Sequence, residues 1–153
     1  MSLEVKMKTI SPKQMLSVTH HTKVSGLSQK IEETLGIMYG MVKEQNAEAA
    51  GPPFGIFHGA INEKEDGPIE ICLPVRGTVN GSDNVIFKQL YGGNAASVTM
   101  LGKQCEFPAI LGGYDAAAAW IQANGHQKSG PPREIWHTGA GPDAKMEIVW
   151  LFK

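Results

Sequence analysis

The 153 residues carry 42% hydrophobic and 19% charged side chains, enough apolar material for one compact domain with a buried core and too much for a disordered chain. Fourteen Lys and Arg against 15 Asp and Glu leave a net charge of -1, which withholds the positive field that sequence-independent nucleic-acid binding draws on. No apolar run approaches the roughly 18 residues of a membrane span, no signal-peptide core opens the chain, and Cys72 and Cys105 have no zinc-type spacing. A soluble, cytoplasmic protein with no cofactor, no membrane partner and no direct nucleic-acid contact is expected.

In chain order, residues 15–19 read as a strand, and Leu27, Ile31, Leu35, Met38 and Val42 then fall on one stripe at spacings of three and four, the pattern of a helix of about five turns. Gly36 and Gly40 share a face of it, which means either close packing against another element or room left for a ligand. Gly51-Pro52-Pro53 breaks the chain, residues 55–58 form a strand, residues 62–67 a polar turn, and residues 69–75 a strand in which Cys72 serves as a small buried hydrophobe. The second half opens with residues 85–91, a Gly92-Gly93 turn and a strand at 95–101. Tyr114, Ala117, Ala118 and Ile121 mark its helix, with Gly125 as the C-terminal cap. Strands at 134–138 and 146–152 close the chain around a turn at 139–143.

This order of elements occurs twice. Gly51-Pro52-Pro53-Phe54-Gly55-Ile56-Phe57-His58 aligns with Gly130-Pro131-Pro132-Arg133-Glu134-Ile135-Trp136-His137, Ile69-Glu70-Ile71 with Met146-Glu147-Ile148, and Ser17-Val18-Thr19 with Ser97-Val98-Thr99, at offsets of 79, 77 and 80 residues. The reading is a single domain over 1–153, with repeat one at about 4–80 and repeat two at about 81–153. Its expected fold is α+β: a tandem βαββ repeat forming one antiparallel sheet, two helices on one face, and a cleft at the pseudo-twofold axis where a small molecule binds.

Candidate site residues follow from the strand pattern. In the last strand both faces are largely apolar, so Glu147 lies in partly apolar surroundings, lining a pocket or pairing at a sheet margin. A simple hairpin would set Trp136 opposite Glu147 and Glu134 on the same face, giving an indole and two carboxylates suited to an organic cation or a flat polarised ring. The repeat gives Phe57 and Glu70 matching positions, although the Glu70 strand is clearly apolar on one face only, which also fits a solvent-facing acid. Tyr91, beside the double glycine, lines the cleft or packs in the core. Carboxylates crowded in a dry site raise one another's pKa and suit acid–base hydrolysis without a metal. His58 and His137 match across the repeat, and His20 and His21 are adjacent. None has ligand spacing, so no metal is expected, and neither a phosphate-binding glycine motif nor a GxSxG elbow occurs.

Leu90-Tyr91-Gly92-Gly93-Asn94-Ala95-Ala96-Ser97, Gly112-Gly113-Tyr114-Asp115, Ala119-Trp120-Ile121, Gly130-Pro131-Pro132-Arg133-Glu134-Ile135-Trp136 and Met146-Glu147-Ile148 together resemble the GyrI-like small-molecule-binding family, which is also the effector-binding domain of many AraC-type and MerR-type bacterial regulators. The likeness is strongest from about residue 85 onward. It implies the duplicated βαββ fold, a central cleft for lipophilic, often cationic compounds, and Glu147 as the family's last-strand acid, with Trp136 at its aromatic position and Glu134 two residues before. The chain departs from the pattern at residues 100–113, which are lengthened, and at Tyr91, where Pro is common.

The resemblance therefore implies a stand-alone binding protein, without the regulators' DNA-binding domain, whose ligand meets Glu147, Trp136, Glu134, Phe57, Tyr91 and Glu70. Two alternatives stay open. One is a metal-independent hydrolase of strained, cyclopropane-type natural products with Glu147 and Glu134 or Glu70 as catalytic carboxylates; the other is a gyrase-inhibitor-type protein with a protein partner, against which the near-neutral charge speaks.

Overall fold

A computed structural model describes residues 3–138 and 142–153; the first three residues of the turn expected at 139–143 lie outside them. The chain forms two compact units. One is Pro12–Tyr91, the other Met1–Ser11 together with Gly92–Lys153.

In the unit Pro12–Tyr91, the elements are β2 (Lys13–Thr22), α1 (Val24–Glu44), β3 (Glu48–Ala49), β4 (Phe54–Phe57), β5 (Gly67–Arg76) and β6 (Ile86–Leu90), the strand β1 (Val5–Ile10) preceding them in the chain. The sheet runs β4-β5-β2-β6, with β3 on β5, and its ladders are antiparallel. α1 starts at Lys23 without a side-chain cap, so its stability rests on its buried face. Met38 and Val42 pack there on Leu16, Leu73, Val75, Val79 and Val85, with Leu35 partly buried beside them; each such fully buried side chain contributes about 1.5–3 kcal/mol. Leu27 and Ile31 are half-buried, and the polar member of the stripe is Thr34, buried with its Oγ1 2.9 Å from His20 Nε2. Gly36 and Gly40 do not serve close packing: both are exposed, and a Cβ at either would meet nothing within 4 Å among the described residues. Cys72 is fully buried.

The second unit holds β1, β7 (Gly93–Leu101), a 3-10 turn at Gly102–Cys105, α2 (Leu111–Ala123), β8 (Arg133–Trp136) and β9 (Lys145–Leu151), in the order β1-β7-β9-β8, again with antiparallel ladders. α2 lays Ala117 and Ile121 on Val98, Met100, Ile148 and Phe152. Gly113 lets it come close, because a Cβ there would stand 2.8 Å from Met100 Sδ and 3.0 Å from Ile148 Cγ1. The helix ends as the sequence reads. Gly125 takes φ +75, its N–H bonds Gln122 O at 3.1 Å, and His126 N–H bonds Ile121 O at 3.0 Å, the paired bonds of a Schellman cap.

Each half of the sequence lends its first strand to the unit built mainly from the other half. β1, which no sequence signal flagged, pairs with β7. β6, read as the opening strand of repeat two, pairs with β2. The 80-residue offset extends through both strands, matching Val5 with Val85, Lys8 with Lys88 and Ile10 with Leu90. The fold is α+β, as the composition and repeat indicate.

Candidate functional site

The β8–β9 ladder decides which candidates share a face. Its register pairs Ile135 with Glu147 and Trp136 with Met146, one residue away from the simple-hairpin reading. Because successive strand residues alternate faces, Glu147 and the pair Glu134 and Trp136 point to opposite sides of the sheet. The expected wall of an indole with two carboxylates is therefore corrected to two separate arrangements.

On the face away from α2, Glu147 is buried at 7% exposure and accepts hydrogen bonds from Lys8 Nζ, Ser97 Oγ and His137 Nε2, the last at 3.1 Å. Strand pairing explains the set. Thr99 lies opposite Glu147, Ser97 is two residues before it on β7, and Lys8 of β1 stands opposite Ala95 of β7. Burial pushes the carboxyl pKa upward, but the Lys8, Ser97 and His137 donors outweigh it and hold the group below the usual carboxylate value, hence ionised at neutral pH.

The other unit repeats this shell. Glu70, at 4% exposure, accepts from Ser17 Oγ, from Lys88 Nζ at 2.5 Å and from His58 Nε2 at 2.8 Å, with Thr19 opposite it and Lys88 opposite Met15. Burial raises its pKa, but the Lys88, Ser17 and His58 hydrogen bonds outweigh that, so the net shift is downward. The solvent-facing alternative for Glu70 is excluded. In both units the acid lies on the strand face opposite the core that the helix packs against, since Leu73 and Val75 alternate with Glu70 and Ile148 alternates with Glu147.

Glu134 differs in kind. It is buried at 7% exposure on the α2 side, accepting from Tyr114 Oη and from Trp136 Nε1, the latter at 3.2 Å. Both donors are neutral. Burial raises the carboxyl pKa, and the Tyr114 and Trp136 hydrogen bonds only partly oppose it; the Tyr114 phenol is pushed up too, by burial first and the neighbouring carboxylate second. The Tyr114 ring meets Trp150 edge-on, centroids 6.4 Å apart. The indole expected beside Glu147 is hydrogen-bonded to Glu134 instead. The repeat offset puts Gly55 at the equivalent place, so this acid is particular to one unit.

Phe57 is half-buried opposite Ile69, on the other face from Glu70, and Tyr91 is 52% exposed. Two surface depressions, of about 270 Å³ between Pro12–Gln14 and Pro74–Gly77 and about 520 Å³ along the outer side of α2 to Lys128, include none of the three acids. Among the described residues no three His, Cys, Asp or Glu side chains are placed to share a metal ion, and no helix is long and apolar enough to cross a membrane. Sequence reasoning missed Lys8 and Lys88, although their offset of 80 equals that of Ser17 and Ser97.

Fold and site define an α+β domain that carries three buried carboxyl groups, Glu70, Glu134 and Glu147, on its strands. The chain belongs to the GyrI-like small-molecule-binding domain family, whose model matches residues 3–152. Comparison with curated protein sequences gives no match. Among solved structures, the C-terminal domain of EcmrR is similar with TM-score 0.81 at 17% identity, covering 100% of this chain and 99% of that one. In the EcmrR–DNA complex the TM-score is 0.84 at 17% identity over 99% of this chain, which spans only 57% of that longer protein. A hydrolase encoded by lin2189 from Listeria innocua gives 0.70 at 11% identity, with 99% and 93% covered, and SAV2435 bound to tetraphenylphosphonium gives 0.64 at 14%, with 98% and 94% covered. At these identities the likeness establishes the fold.

Proposed function

We propose that the chain binds a lipophilic organic cation, with Glu134 as counter-charge and Trp136 and Tyr114 as the aromatic surface against which the cation packs. The observation that carries this reading is the shell of Glu134: a buried carboxyl with two neutral donors and no ammonium or guanidinium hydrogen-bonded to it among the described residues. A bare buried carboxylate is costly and burial raises the Glu134 pKa, so a permanent cation arriving beside it would stabilise the ionised form. The aromatic faces add attraction of about 0.5–2 kcal/mol. The tetraphenylphosphonium ion bound to SAV2435 is a cation of the required kind and supports the choice of probe.

Calorimetric titration with tetraphenylphosphonium tests it. Wild type should bind, Glu134→Gln should lose about tenfold or more of the affinity, and Trp136→Ala should weaken it as well. Equal affinity in wild type and Glu134→Gln would overturn the counter-charge role.

A second reading, metal-independent hydrolysis of a strained electrophile, is favoured by a different observation. Glu147 and Glu70 are each buried and hydrogen-bonded to a histidine, the pairing in which a carboxylate orients an imidazole that takes the proton of an attacking water. Incubation with an activated cyclopropane tests it: turnover that disappears in Glu147→Gln supports hydrolysis, and turnover equal in that variant excludes Glu147 from the reaction.

A further inference from the structure

Lys8 and Lys88 each occupy an end strand of the ladder within their own unit, β1 beside β7 and β6 beside β2. A lysine on an edge strand ordinarily stands in water and guards against edge-to-edge pairing. Here both turn inward. Lys8 is paired with Glu147 and Lys88 with Glu70; counting side-chain atoms alone, the lysines are 41% and 39% exposed and the glutamates 9% and 6%. The cations thus sit at the mouth of each acid, with a path to solvent, while the carboxylates stay within the sheet.

We propose that Lys8 and Lys88 are built-in competitors at Glu147 and Glu70, occupying the carboxylates in the empty protein and swinging into solvent when a lipophilic organic cation takes their place. The proposal rests on the reading that the chain binds such cations, and adds a second pair of acids to it. Three features make the exchange possible. The lysine stem is long and flexible and the freed ammonium recovers strong hydration. Ser97 with His137, and Ser17 with His58, keep their hydrogen bonds to each carboxylate, so no acid is stranded while the cation changes. Neighbouring apolar side chains, Ile135 opposite Glu147 and Ile56 opposite Glu70, favour a cation with spread charge over a small hydrated one. The tethered amine therefore sets a threshold: a weakly hydrated organic cation displaces it, whereas sodium or potassium does not.

The test uses tetraphenylphosphonium and calorimetry at pH 8 on wild type, Lys8→Met, Lys88→Met, Lys8→Arg and Lys8→Met/Glu147→Gln. Each Lys→Met change should strengthen cation binding or add a site, by about tenfold, the worth of one charge-assisted hydrogen bond. Lys8→Arg, which retains a cation, should show no gain, and Glu147→Gln should erase the gain of Lys8→Met. A measurement on wild type alone stands beside these: acylation of Lys8 and Lys88 by an amine-specific acetylating reagent, followed by mass spectrometry, should accelerate when tetraphenylphosphonium is present. Unchanged affinity in both Lys→Met variants, or lysine acylation that the cation leaves unchanged or slows, overturns the proposal. If wild type binds through Glu134 while the lysine variants match it, this inference alone fails; if no form binds the cation, the functional reading fails with it.

Discussion

Ile135 stands directly opposite Glu147 across the β8–β9 ladder, and this one-residue step assigns Trp136 to Glu134 instead. Trp136 Nε1 donates to Glu134 at 3.2 Å, whereas Glu147 lies on the other face. A double-mutant cycle in urea unfolding reads the difference. Glu134→Gln with Trp136→Phe should couple by about 1 kcal/mol, while Glu147→Gln with Trp136→Phe should add to within about 0.5 kcal/mol. The reverse pattern would return Trp136 to the face of Glu147.

Acid stability depends on the two lysine-bearing shells. Glu70 and Glu147 have folded pKa values lowered from the ordinary 4.5. A depressed carboxyl pKa contributes stability that is fully present above the unfolded value and is lost as pH falls through the folded one. Stability should therefore decline below about pH 4.5. Lys8→Met and Lys88→Met remove one donor each and raise the folded pKa toward the unfolded one, so that decline should become smaller and end at higher pH, as thermal unfolding between pH 3 and 6 would record. An acid limb unchanged in both variants would show that the pairs do not perturb the carboxyls.

Glu134 has the opposite sign. Its folded pKa is raised above 4.5 by burial, so the folded chain holds a proton that the unfolded chain has released. That contribution is present below the unfolded value and is lost as pH rises through the folded one. Binding of a permanent cation must expel the same proton, so affinity for tetraphenylphosphonium should rise with pH through the folded pKa, with proton release measurable as a buffer-dependent heat. Glu134→Gln should flatten both profiles. An affinity independent of pH in wild type would remove Glu134 as the counter-charge.

How much of the fold is legible in the sequence depends on the kind of signal each residue emits. Strands and helices marked by periodic apolar residues were legible, as was the C-terminal cap at Gly125, because those patterns are local. The register of β8 on β9 was not, since it is set by backbone pairing that leaves no periodic trace, and one step inverts every side chain. β1 escaped notice because Val5–Ile10 is half lysine and threonine, the composition of a guarded edge. The Lys8 and Lys88 contacts escaped with it: each lysine comes from a strand that pairs outside its own half. Yet the offset of 80 was visible, and extending the repeat upstream from Ser17 and Ser97 would have reached both.

The glycines offer a test of packing free of the acids. Gly113 is buried under α2, where a Cβ would press on Met100 Sδ at 2.8 Å and Ile148 Cγ1 at 3.0 Å, so Gly113→Ala should destabilise by about 1–3 kcal/mol through overpacking. Gly36 and Gly40 lie on the open side of α1 with nothing within 4 Å of a Cβ. Alanine at either should stabilise by about 0.4–1 kcal/mol, by reducing the freedom of the unfolded chain and favouring the helix. Urea unfolding of the three single variants would show opposite signs. A loss on Gly36→Ala or Gly40→Ala comparable to that of Gly113→Ala would mean that this face of α1 is covered in solution.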